Sequence, residues 1–158
     1  LDEETKLPTK KVDISEAFFG ILPVFEDAAR DRQIHMSFNI QPGIFMQVHQ
    51  DTFLQMLSIL LDNAVKYTPE GGTIRFSIKS ESGHIWIVEE NGCETLRDIP
   101  PERLFERFYR ADDARTQNGA SSGYGIGLSA ARAIAETFGG KLTAEYPEAG
   151  KIRFTARF

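Results

Sequence analysis

The chain is expected to fold as an α/β domain. Three stretches carry apolar residues at the three-and-four spacing of a helix. The stretches between them alternate apolar and polar residues as strands do, and 158 residues suffice for one hydrophobic core. At 41% hydrophobic and 26% charged, the composition is that of an ordinary soluble fold. The net charge of −5 weighs against nucleic acid and anionic lipid as partners. A single cysteine, Cys93, excludes an internal disulfide framework and a cysteine-based zinc cluster. No apolar run approaches the roughly 18–20 residues of a membrane span, and no signal-peptide pattern opens the chain. A reduced, cytoplasmic setting is therefore expected. Leu1 stands where an initiator Met would, so a piece of a longer polypeptide is also expected.

Residues 1–12 are polar and read as a linker, leaving 13–158 as the domain. Asp13-Ile14-Ser15-Glu16 has the form of a capping box. Ile14, Phe18, Ile21, Leu22 and Phe25 then follow at helical spacing, with a kink or break expected at Pro23. Ile34, Met36, Phe38 and Ile40 alternate as a strand, and Ile44 to Val48 suggests a short second one after the Pro42-Gly43 turn. Asp51 or Thr52 is expected to cap a second helix with the stripe Phe53, Met56, Leu57, Leu60, Leu61 and Ala64. Two strands follow, joined by a hairpin at Ser80 to Gly83. From Asn91 to Gly123 only a short helical island near Pro101 to Arg110 stands out, and so long a loop is expected to be functional or mobile. A third helix is expected from about Gly125 to Phe138, then a hairpin of Lys141 to Tyr146 and Lys151 to Phe158.

Four features could carry chemistry. Gly123-Tyr124-Gly125-Ile126-Gly127-Leu128 opens a helix, where glycines let backbone N–H groups approach an anion. The same glycines also suit a plain hinge. Asn63, at the margin of the second helix's apolar stripe, offers a hard oxygen suited to Mg²⁺ on a phosphate. Lys66 is one turn on, within reach of the same phosphate, although a Lys there also simply favours the helix dipole. Glu89-Glu90-Asn91-Gly92 puts acids at a strand end beside the long loop. Phe105-Glu106-Arg107-Phe108-Tyr109-Arg110 places Arg107 and Arg110 where they could clamp phosphate oxygens or line a short surface helix.

Taken in order, Asn63-Ala64-x-Lys66-Tyr67-Thr68, the strand-end acid with Gly92, Phe105 to Arg110 and Gly123-x-Gly125-Ile126-Gly127-Leu128 resemble the ATP-binding catalytic domain of sensor histidine kinases. The resemblance covers about Asp13 to Phe158. It implies the Bergerat fold, an α/β two-layer sandwich with a mixed sheet of about five strands, three helices on one face and a long ATP lid, here Arg97 to Ser122. It implies ATP and Mg²⁺ as cofactors, with Asn63 as the Mg²⁺ ligand. Lys66 and Tyr67 would lie along the phosphates and ribose, and Arg107 or Arg110 would meet the terminal phosphates. Gly123, Gly125 and Gly127, with Leu128 closing the motif, would hinge the lid and bind nucleotide through the backbone. Glu90, beside Gly92, would accept a hydrogen bond from the adenine amino group and repel the carbonyl that guanine offers there.

The implied reaction is transfer of the ATP γ-phosphoryl group to a histidine on a separate dimerisation and phosphoacceptor helical domain. The implied further partner is a response regulator, and the implied parent protein is membrane-anchored. None of His35, His49 and His84 has the helical phosphoacceptor setting. Two departures favour an alternative, a degenerate interaction module of the same fold. Glu90 replaces the family's Asp, and Glu94 replaces a glycine. A third fold-sharing reading is a serine kinase acting on an anti-sigma-type partner. Ile59 stands four residues before Asn63, where related ATPases place a Glu as general base. Water must shed a proton as it attacks, whereas a neutral imidazole attacks through a free lone pair. Little intrinsic hydrolysis is therefore expected.

Overall fold

A computed structural model describes residues 7–93, 99–106 and 124–158, with the backbone alone for 124–126. The Asp13 carboxylate accepts a hydrogen bond from the Glu16 N–H at 3.0 Å and starts helix α1 (Ile14–Asp31). Its inner stripe buries Ile14, Phe18, Leu22 and Ala29. The helix continues through Pro23 without a break. Pro23 is exposed, so water can satisfy the Phe19 carbonyl that proline leaves without its helical donor.

Strand β1 (Lys10–Asp13) precedes α1 and pairs antiparallel with β3 (Phe45–Val48). Residues 10–12 are thus a strand and not linker. Only Val12 turns inward, at 6% exposure, so so short a strand leaves almost no alternation to read. Helix α2 (Gln50–Tyr67) starts two or three residues earlier than expected. Its N-cap is His49, whose Nδ1 accepts from the Thr52 N–H at 3.3 Å.

The main sheet contains β2 (His35–Ile40), β4 (Thr73–Glu81), β5 (His84–Gly92), β6 (Lys141–Glu145) and β7 (Lys151–Arg157), in the order β2-β4-β5-β7-β6. Only the β2–β4 pairing is parallel. Helices α1, α2 and α3 (Tyr124–Thr137) cover one face. Towards them the strands turn Ile74, Phe76, Ile78, Ile87, Ile152 and Phe154, all buried. Phe76 stacks on Phe18 at 4.7 Å between centroids. Each such side chain contributes about 1.5–3 kcal/mol on burial. The mixed five-stranded sheet with three helices on one face is the expected Bergerat architecture. A short 3₁₀ helix (Pro101–Phe105) precedes α3 in the chain.

Candidate functional site

The ends of three elements converge at one end of the helical layer. Helices α2 and α3 are antiparallel neighbours: Phe53 at the start of α2 meets the Phe138 ring beyond α3 at 6.2 Å. Gly127, near the start of α3, lies against Ile59 further along α2. A Cβ on Gly127 would be 3.6 Å from the Ile59 Cγ2. The N-terminus of α3 therefore points towards the C-terminal half of α2, which bears Asn63, Lys66 and Tyr67. The third end is that of β5. A Cβ on Gly92 would be 3.6 Å from Pro69, in the turn that follows α2.

Local chemistry fixes the C-terminus of α2. The Arg32 guanidinium donates to the carbonyls of Val65 and Lys66, which lack helical donors of their own. Thr68 is fully buried and its hydroxyl donates to the Ala64 carbonyl at 2.6 Å. The Thr68-Pro69 turn closes tightly over Gly72, where a Cβ would fall 2.7 Å from the Thr68 methyl. On this anchored turn, Asn63 and Tyr67 are half-buried. The Lys66 ammonium lies 3.7 Å from the Asp62 carboxylate, and both side chains are about two-fifths exposed. Such a pair contributes little to stability and leaves Lys66 able to turn towards an anion.

The two strand-end acids face opposite ways. Successive residues of β5 point to opposite faces, and Glu89, not Glu90, points towards the helices. Glu89 is 0% exposed, with Phe76 and Phe154 as its cross-strand neighbours. Neither of its carboxyl oxygens has a hydrogen-bond partner. Burial, with the Glu90 charge adding to it, pushes the Glu89 carboxyl well above the usual carboxylate range. Glu90 lies on the open face, 3.3 Å from Arg153 and 3.9 Å from Lys151. Motif spacing measured from Gly92 selects Glu90. Extending the inward alternation of Ile85 and Ile87 by one step selects Glu89.

Gly125 lies in the first turn of α3, Gly127 at the α2 contact, and Leu128 is buried. Arg107, Arg110 and Gly123 lie outside the described residues, as do Glu94 and most of the expected lid. The chain leading to Arg107 is firmly held. The Arg132 guanidinium lies 3.8 Å above the Phe105 ring and donates to Glu102 at 2.6 Å. The Tyr146 hydroxyl donates to the Ile99 carbonyl at 2.6 Å.

Residues 48–158 match the family model described as "Histidine kinase-, DNA gyrase B-, and HSP90-like ATPase". The chain belongs to this ATPase family. Among curated relatives it is 35% identical over 106 residues to the sensor histidine kinase WalK of Bacillus subtilis, covering 65% of this chain and 17% of WalK. It is 30% identical over 154 residues to the sensor protein DltS of Streptococcus agalactiae, covering 97% of this chain and 38% of DltS. The chain thus spans well under half of each relative. The solved catalytic domain of histidine kinase ThkA shares the fold, with a TM-score of 0.81, 23% identity, and 96% and 95% of the two chains covered.

Proposed function

We propose that the chain is the ATP-binding catalytic domain of a sensor histidine kinase and donates the ATP γ-phosphoryl group to a histidine on a separate helical domain. The observation that carries this is the meeting of the α2 C-terminus, the α3 N-terminus and the β5 end at one edge of the helical layer. Adenine would reach inward to Glu89. The triphosphate would run past Tyr67 and Lys66 towards the backbone N–H groups at the start of α3, which favour anions. Arg107 or Arg110 would meet the terminal phosphates.

The donor set fits a phosphate-bridging Mg²⁺ rather than an ion held by protein alone. Asn63 offers one hard oxygen, and the described residues contain no group of three His, Cys, Asp or Glu positioned for a metal. When bound, the ion would neutralise charge that develops on the phosphates. The acceptor imidazole forms the N–P bond with its lone pair as the bond from phosphorus to the ADP oxygen breaks. This asks for positioning and not for a base, and Ile59 packed on Gly127 supplies none.

The acceptor must come from outside the chain. His49 caps α2, His84 lies 3.3 Å from the Phe158 carbonyl, and His35 sits exposed on an edge strand. The partners proposed are the parent's own dimerisation and phosphoacceptor domain and a response regulator, with membrane anchorage elsewhere in the parent. No described helix is long and apolar enough to cross a membrane. Of the two departures behind the degenerate-module reading, Glu90 faces away from the helical layer and pairs with Arg153, and Glu94 lies outside the described residues. The test is labelling of the full-length protein with γ-labelled Mg-ATP. Acid-labile phosphohistidine that disappears with Asn63→Ala is expected, and its absence from the unmodified protein overturns the proposal.

A further inference from the structure

We propose that Glu89 meets the nucleobase as a neutral carboxylic acid, its hydroxyl donating to the adenine ring nitrogen N1 while its carbonyl oxygen accepts from the exocyclic amine. This rests on the nucleotide-binding reading above and goes beyond it. A carboxylate could take only the amine contact and would repel the N1 lone pair.

The Glu89 side chain is fully withdrawn from water, and both oxygens lack partners. Across β4 and β7 its neighbours are the rings of Phe76 and Phe154. From α2, the buried side chains in the layer are apolar, such as Leu60 and Ala64, and α3 contributes Leu128 and Ala131. Among the described residues, several charges on the packed elements are engaged elsewhere. Asp62 and Lys66 pair with each other, and Arg132 is engaged by Phe105 and Glu102. Glu90, next in the strand, is also negative and faces the other way, paired with Arg153 and Lys151. Nothing described here stabilises a negative charge on Glu89, and burial with the Glu90 charge favours the proton.

A neutral carboxyl presents one donor and one acceptor side by side. A buried pair of that kind is satisfied by a planar ligand edge that offers an acceptor beside a donor. The N1 and amine edge of adenine is such an edge. Glutamine has the same shape and the same donor-acceptor pair, so Glu89→Gln is a permanent copy of the neutral acid.

The test measures Mg-ATP affinity of the unmodified chain and of Glu89→Gln from about pH 5 to pH 9. The ratio of the two removes the titration of the nucleotide itself. Near-equal affinities are expected at the acidic end. Above the Glu89 pKa the unmodified chain should lose up to about tenfold per pH unit relative to Glu89→Gln. A 1-deaza analogue of ATP, which lacks the ring acceptor, should bind at least about tenfold more weakly than ATP at the acidic end, the loss of one well-formed contact. Infrared difference spectra of the unmodified complex should show the C=O stretch of a protonated carboxyl, which tests the proposal without any variant. The proposal is overturned if Glu89→Gln weakens binding about equally at every pH, or if the unmodified complex shows only carboxylate bands. If no adenine nucleotide binds at any pH, the nucleotide-binding reading itself fails and this proposal with it.

Discussion

The Arg132 guanidinium stacks on the Phe105 ring, 3.8 Å from its centroid, while Phe105 lies edge-on to Phe154 of β7 at 6.0 Å. One arginine of α3 thereby holds the segment that leads into the Arg107 motif, and the ring it holds is seated on the sheet. Arg132 also donates to Glu102 and to the Leu142 carbonyl. A double-mutant cycle of Arg132→Met and Phe105→Leu, read by urea unfolding, is expected to show a coupling of about 0.5–2 kcal/mol. A coupling near zero would mean that the stacking contributes no net stability.

Stability should depend on pH through Glu89. Its pKa is raised on folding, so the proton favours the folded chain. The benefit is complete below the ordinary carboxylate value of 4.5 and is lost as pH rises from there through the raised folded value. Each pH unit in that window should cost about 1.4 kcal/mol. Glu89→Gln should flatten this dependence in chemical denaturation measured across pH, and an unchanged slope in the variant would assign the dependence to another group.

Gly127 of α3 packs against Ile59 of α2. An added methyl would make an ordinary 3.6 Å contact with Ile59. Gly127→Ala should therefore fold at least as stably, gaining up to about 0.5–1 kcal/mol of helix propensity. Gly127→Phe should force the helices apart and cost about 1–3 kcal/mol. Thermal unfolding distinguishes the two, and equal melting temperatures would contradict the close packing.

Ile59 puts a hydrocarbon where a general base would stand. The isolated chain should consequently bind ATP yet turn it over negligibly in a steady-state phosphate-release assay. Hydrolysis abolished by Asn63→Ala would show that the chain activates water after all.

Much of this was legible in the sequence. The apolar stripes of α1, α2 and α3 and the alternation in β4 and β7 are strong periodic signals, because each element buries one face. The positions missed lie where burial is weak or local rules are broken. Strand β1 turns only Val12 inward. His49 caps α2 although histidine is not a favoured N-cap. Pro23 is tolerated because it faces water. The choice between Glu89 and Glu90 turned on one residue of strand phase. Two adjacent identical side chains cannot be told apart by composition, and motif spacing selects the one that faces away from the helices. Only the direction of each Cβ, continued from Ile87, separates a buried carboxyl from a surface ion pair.

This edge of the helical layer is expected to bind Mg-ATP through Asn63. Calorimetric titration of the chain with a non-hydrolysable ATP analogue, with and without Mg²⁺, tests it most directly. Saturable binding that weakens without Mg²⁺, and by at least about tenfold in Asn63→Ala, is the predicted result, a loss of about 1.4 kcal/mol. No binding at millimolar nucleotide, or binding indifferent to both Asn63 and Mg²⁺, would contradict it.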